Sequence, residues 1–74
     1  MKFKTVKTIL TAAQEKKQYG EIDLKSGSCC NFCFNLEPEK IIGYNSDTEV
    51  ISVLKGSTDV YIDCEAIESI TVHK

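Results

Sequence analysis

The sequence predicts an α+β fold: an N-terminal helix followed by a small, strongly bent antiparallel β-sheet or barrel of about five strands. Three observations carry this expectation. Apolar residues recur at helical spacing over the first eighteen positions and at alternating spacing after them. Turn-forming residues punctuate the second part at short intervals. A chain of 74 residues has room for one domain, 1–74, and buries only about 60% of its unfolded surface, so curling a sheet onto itself under a helix is the economical way to close a core.

The helix is expected from about residue 3 to 18. Phe3, Val6, Ile9, Leu10 and Ala13 fall on one stripe, and Lys4, Lys7, Thr8, Thr11 and Glu15 lie on the other side. Tyr19-Gly20 offers a stop, with glycine just past the end. The β-branched Thr5, Val6, Thr8 and Ile9 leave a strand over 2–10 as the alternative. The β body is expected over residues 20–73. Glu21 to Leu24 alternates, and Lys25-Ser26-Gly27-Ser28 turns the chain. Cys30, Phe32, Phe34 and Leu36 then alternate with Asn31, Cys33 and Asn35, as a half-buried strand does. Glu37-Pro38-Glu39 breaks that run, and Lys40 to Asn45 gives a short strand with Ile41 and Ile42 to bury. After the Asn45-Ser46-Asp47 turn, Val50 to Leu54 is apolar on both faces, which asks for a central strand. Lys55-Gly56-Ser57 turns again. Val60, Ile62 and Cys64 alternate with Asp59, Tyr61 and Asp63, Glu65 to Ser69 makes a single helical turn, and Ile70-Thr71-Val72 closes the body.

The net charge of −2 conceals a separation. Residues 1–20 hold five lysines against Glu15, a balance of +4, and residues 21–74 hold four lysines against ten carboxylates, a balance of −6. All nine cations are lysine, and arginine is the residue suited to bidentate phosphate and guanine contacts, so sequence-specific nucleic-acid reading is disfavoured. Abundant lysine and isoleucine without arginine or tryptophan fit an AT-rich coding genome. The basic start is followed by only Ile9 to Ala13 as an apolar stretch, short of the roughly 7–15 residues of a signal peptide core, and no run nears the ~20 of a membrane span. A cytoplasmic setting with reduced thiols is expected.

The segment Val60-Tyr61-Ile62-Asp63-Cys64-Glu65-Ala66-Ile67-Glu68-Ser69-Ile70-Thr71-Val72 resembles the closing part of small Sm-like and SH3-like barrels, in which a strand, a one-turn 3₁₀ helix ending in isoleucine and a final strand follow one another. The Val50 to Gly56 hairpin and the N-terminal helix fit the Sm-like order. The family's RNA-contact positions have no clear counterpart, since Lys55-Gly56 stands at the expected place without an arginine. In size, acidity and composition the chain is also similar to small host-takeover proteins of bacteriophages, among them inhibitors of the bacterial sliding clamp and an Sm-like inhibitor of the termination factor Rho.

Cys29, Cys30, Cys33 and Cys64 are the conspicuous chemical group. A zinc site is the minor reading, because Cys30 and Cys33 face opposite sides of a strand and no knuckle glycine follows. Cys29 and Cys33 share a face but stand about 13 Å apart along it, too far for one disulfide. Cys30 and Cys64 are expected in the core as reduced thiols behaving as small apolar groups. A thiol nucleophile needs a base, and the lone His73 sits near the chain end. No phosphate loop is present. No catalytic group, metal or cofactor is expected.

The expected function is therefore that of a small non-enzymatic protein-binding module, an inhibitor that occludes a basic nucleic-acid-binding surface of a host replication or transcription protein. The candidate contact residues are the turn and outward carboxylates Glu37, Glu39, Asp47, Glu49, Asp59, Asp63, Glu65 and Glu68, with Tyr44 and Tyr61 as aromatic anchors. The alternative is an Sm-like nucleic-acid binder using Lys4, Lys7, Lys16 and Lys17. A homodimer, formed through an unpaired sheet edge or the apolar helix face, would supply stability that so small a core lacks.

Overall fold

The computed structural model describes residues 1–35 and 42–74. It contains one helix, α1 (Phe3–Glu15), and six strands: β1 (Tyr19–Leu24), β2 (Cys29–Cys33), β3 (Ile42–Asn45), β4 (Val50–Lys55), β5 (Thr58–Asp63) and β6 (Ile67–His73), with a 3₁₀ turn over Cys64–Ala66 before β6. The α+β class holds. Among the described residues the strands number six where about five were expected, and they form two antiparallel three-stranded sheets, ordered β2-β1-β6 and β3-β4-β5.

The helix forms despite its β-branched start because its stripe has a core to enter. Val6, Leu10 and Ala13 are fully buried, at the i, i+4, i+7 spacing of one helix face. The centre of the apolar helix face is thus covered by the chain's own core, with Phe3 and Ile9 half-buried at its margin. No side chain caps the N-terminus, but the Met1 amino nitrogen donates to the carbonyls of Cys64 at 2.9 Å and Ile67 at 3.1 Å, tying the helix start to the 3₁₀ turn.

The helix ends three residues earlier than the sequence suggests. Lys17 N–H donates to the Gln14 carbonyl and Gln18 N–H to the Ala13 carbonyl, the two bonds of a Schellman ending. Its left-handed position falls on Lys17, with φ of 52°, and not on the nearby glycine. Gly20 serves a different purpose. It belongs to β1, where a Cβ would run into the Thr71 carbonyl oxygen and lie 2.8 Å from the Phe32 ring.

Turn chemistry matches the sequence closely. Gly27 and Gly56 both adopt positive φ, and Gly56 opens the two-residue loop between Lys55 and Thr58. Asn45 Oδ1 accepts from the N–H groups of Asp47 and Thr48, which fixes the β3–β4 turn. The alternating run beginning at Cys30 leaves the ladder after Cys33, although Phe34 stays buried and its N–H donates to the Gln18 carbonyl. The remainder of that run, Leu36 included, lies outside the described residues.

The core is made between the two sheets and the helix. Ile22, Cys30 and Phe32 enter from the first sheet, and Ile42, Ile51, Val53 and Ile62 from the second. Phe34 and Cys64 come from the connections, and Ile67 from the start of β6. The double apolar character of β4 is explained by its central place: Ile51 and Val53 face the core, and Val50 and Leu54 stand half-buried on the outer face.

Candidate functional site

The outer face of β3-β4-β5 gathers the residues that the sequence marked for contact. Pairing aligns Gly43, Ser52 and Tyr61 in one row across the sheet and Asn45, Val50 and Asp63 in the next. Since glycine and serine are small, the first row forms a trough, and Tyr61 stands over its edge. A depression of about 440 Å³ results, floored by Gly43, Val50 and Ser52 and bounded by Asn45, Thr48 and Tyr61. Tyr61 is 71% exposed, the most exposed large hydrophobic side chain among the described residues. Exposed aromatic area beside half-buried aliphatics is a usual anchor for a partner.

Carboxylates surround it. Asp59 and Asp63 flank Tyr61 on the same face of β5, because alternate residues of a strand share a face. Asp47 and Glu49 sit exposed in the β3–β4 turn, and the Glu49 carbonyl accepts from Cys64 N–H at 3.0 Å, which brings that turn against the end of β5. Asp63 Oδ1 in turn accepts from Glu65 N–H at 3.0 Å. Burial pushes the Cys64 thiol up from its ordinary value, and the nearby charges of Asp63, Glu49 and Glu65 push the same way. Burial foremost, with these carboxylates outweighing the Met1 ammonium, therefore keeps Cys64 protonated and a poor nucleophile.

The other candidates fall elsewhere. Tyr44 is an inward residue and no exposed anchor: it meets Phe3 edge-to-face at 6.4 Å between centroids, and Lys7 Nζ lies 5.7 Å from its ring. Among the described residues its hydroxyl is buried without a well-placed hydrogen-bond partner, and burial pushes its pKa up, partly offset by the Thr11 hydroxyl, which lies near but out of line for a full bond. Glu68 is exposed on β6, at the irregularity where Asp23 pairs with Ser69 and Leu24 with Ile67, on the other sheet from Tyr61. Glu37 and Glu39 lie outside the described residues. Lys4, Lys7, Lys16 and Lys17 are all exposed, but they occupy two ends of the helix region, about 18 Å apart at 1.5 Å per residue.

The four cysteines do not converge. Cys30 and Cys64 point into the core, Cys29 is exposed and Cys33 half-buried on the outer side of β2, and all four are free thiols. Strand alternation thus rules out the four-thiolate site weighed from the sequence.

A second face was missed by sequence reasoning. On the outer side of β2-β1-β6, Tyr19 pairs with both Cys33 and His73, and the Tyr19 and His73 rings stack at 5.0 Å between centroids. His73, near the chain end, is therefore a strand residue in a ladder. Further along, ligand atoms of Glu21, Asp23 and Cys29 lie within 4.8 Å of one another, and Ser69 Oγ donates to Asp23 Oδ2. Only the cross-strand register brings these residues together, and one strand read alone carries no signal of it.

No family model, curated protein or solved structure matches the chain.

Proposed function

We propose that the protein is a small binding module without chemistry of its own, which presents the acidic outer face of β4 and β5 to a basic partner and occludes that partner's nucleic-acid-binding surface. A host replication or transcription protein with a basic groove, such as a DNA sliding clamp, is the kind of partner this reading takes, in a cytoplasmic setting and with bacteriophage proteins as its analogues. The observation that carries it is Tyr61: a 71% exposed aromatic between two outward aspartates at the acidic end of the chain. The finer description of the fold as an Sm-like or SH3-like barrel belongs to the same proposal. It is supported by β6, which follows a 3₁₀ turn and returns to pair with β1, the closure such barrels use.

The test is capture of DNA- and RNA-processing proteins on the immobilised chain across a salt series. Binding governed by opposite charges weakens steeply between low and physiological salt, where the screening length falls to about 8 Å. Absent or salt-insensitive binding refutes the proposal. The second reading, nucleic-acid binding by Lys4, Lys7, Lys16 and Lys17, rests on the exposure of all four. A gel shift with single-stranded RNA and duplex DNA at low salt decides it, and no shift at micromolar protein removes it. Self-association through a sheet edge remains part of the reading, and a monomer in sedimentation contradicts it.

A further inference from the structure

Strand β5 is an edge: among the described residues it pairs with β4 on one side only. Its register settles which of its backbone groups are free. Cys64 N–H donates to the Glu49 carbonyl, and this pair continues the β4–β5 alignment in which Val50 faces Asp63 and Ile51 faces Ile62. In an antiparallel ladder, hydrogen-bonded and non-hydrogen-bonded pairs alternate. The backbone groups of Ile62, Val60 and Thr58 are then spent on β4, and those of Asp59, Tyr61 and Asp63 point away from the sheet. The same three residues carry their side chains on the outer face. One edge thus offers open backbone donors and acceptors at Asp59 and Tyr61 and an open N–H at Asp63, whose carbonyl caps the 3₁₀ turn, beside an aspartate, a tyrosine and an aspartate.

Which chain fits this edge follows from charge. A second copy pairing antiparallel through β5 about Tyr61 would set Asp59 opposite Asp63 twice, and like charges directly opposite are destabilising. Segment Thr58–Asp63 contains no lysine and no proline, two common means of blocking an edge, so only its aspartates guard it. A strand with cations four residues apart, on the face it lays beside Asp59 and Asp63, turns that guard into attraction. We propose that β5 binds an extended segment of a partner by strand addition, with lysine or arginine side chains facing Asp59 and Asp63 and an apolar side chain packed against Tyr61. This deepens the reading of the acidic face as a protein-binding surface, and rests on it, by naming the partner element: a basic β-strand or extended tail.

The test uses the full chain and short acetylated, amidated peptides of the pattern Lys-Thr-Val-Thr-Lys, whose two lysines and central valine share one face of an extended strand. A second peptide has the same sequence with N-methyl groups on the backbone nitrogens that would bond to β5, and a third has glutamate for lysine. The unmodified lysine peptide is expected to bind at least about tenfold more tightly than either, a difference of about 1.4 kcal/mol. On binding, amide hydrogen exchange slows at Asp59, Tyr61 and Asp63, and Tyr61→Ala weakens the complex without changing the denaturation midpoint. Equal binding of the lysine and N-methylated peptides overturns strand addition while leaving an acidic binding surface in place. Binding by neither peptide also overturns it, and the salt-series capture then shows separately whether the broader reading survives. Slowed exchange confined to other strands, or peptide-independent protection from pairing of two copies through β5, likewise overturns it.

Discussion

Tyr44 and Lys17 each hold a conformation or environment that their chemistry disfavours. Among the described residues the Tyr44 hydroxyl is buried with no well-placed partner, and a buried unsatisfied hydroxyl costs about 1–3 kcal/mol. Tyr44→Phe keeps the ring against Phe3 and beneath Lys7 and removes only that hydroxyl, so it is expected to leave stability unchanged or raise it by about 1 kcal/mol. The pH profile gives a second reading of the same group. A phenol whose pKa is raised by folding contributes its full stability below the ordinary tyrosine value, about 10, and loses it as pH rises through the folded value. The denaturant midpoint of the native chain is expected to fall in that alkaline range, and part of the fall should vanish in Tyr44→Phe. If the two chains fall in parallel, the buried hydroxyl is not the titrating group. Lys17 bears a left-handed backbone that costs a non-glycine residue roughly 1–2 kcal/mol. Lys17→Gly should stabilise the chain by about 1 kcal/mol in urea unfolding, less whatever glycine loses in unfolded-chain entropy. A lower midpoint would show that the lysine side chain makes a contribution the backbone argument omits.

Among the elements, β1 is the most constrained, because it is the central strand of its sheet and carries Gly20 under the Thr71 carbonyl. Adding one methyl group there drives carbon into backbone oxygen, which forces β1 and β6 apart, and backbone cannot move aside as a flexible side chain can. Gly20→Ala is expected to cost more than the usual 1–3 kcal/mol of overpacking, visible as a collapsed thermal midpoint or loss of soluble protein. Retention of native stability would mean the strands are not held at this distance. The helix and most strands were legible in the sequence because periodicity reports a face: Val6, Leu10 and Ala13 at one spacing, Ile51 and Val53 at another. The helix stop was not legible, since a Schellman ending normally advertises itself with glycine and here falls on Lys17. The early end of β2 was hidden for a related reason. Phe34 stays buried past the end of β2 and its N–H still bonds to the Gln18 carbonyl, in the register that pairs Tyr19 with Cys33, so neither burial nor that bond marks where the strand stops.

The whole molecule keeps the charge separation that the sequence shows, with exposed lysines along the helix and carboxylates about β5 and its turns. The acidic surface could be read from composition, but its organisation about one strand could not. Asp59, Tyr61 and Asp63 are three members of an alternating run until the register of β4 decides which edge their backbone faces. Likewise, Tyr19, Cys33 and His73 are distant in sequence and become neighbours only through the order β2-β1-β6. Tyr44 and Tyr61 had equal claim as anchors in the sequence, and only the folded chain separates them: one is held between Phe3 and Lys7, the other stands in solvent.

The placement of the thiols has a practical consequence for any measurement of how many copies associate. Cys30 and Cys64 are shut away in the core, and Cys29 and Cys33 look outward about 13 Å apart along one strand, so neither outward thiol can close a bond with the other. Oxidant reaching this protein finds its most open target at Cys29, and a disulfide formed there needs a thiol from another molecule. Ageing in air thus makes covalent pairs that mimic assembly, and a mass measured without reductant reports storage history along with any true affinity between copies.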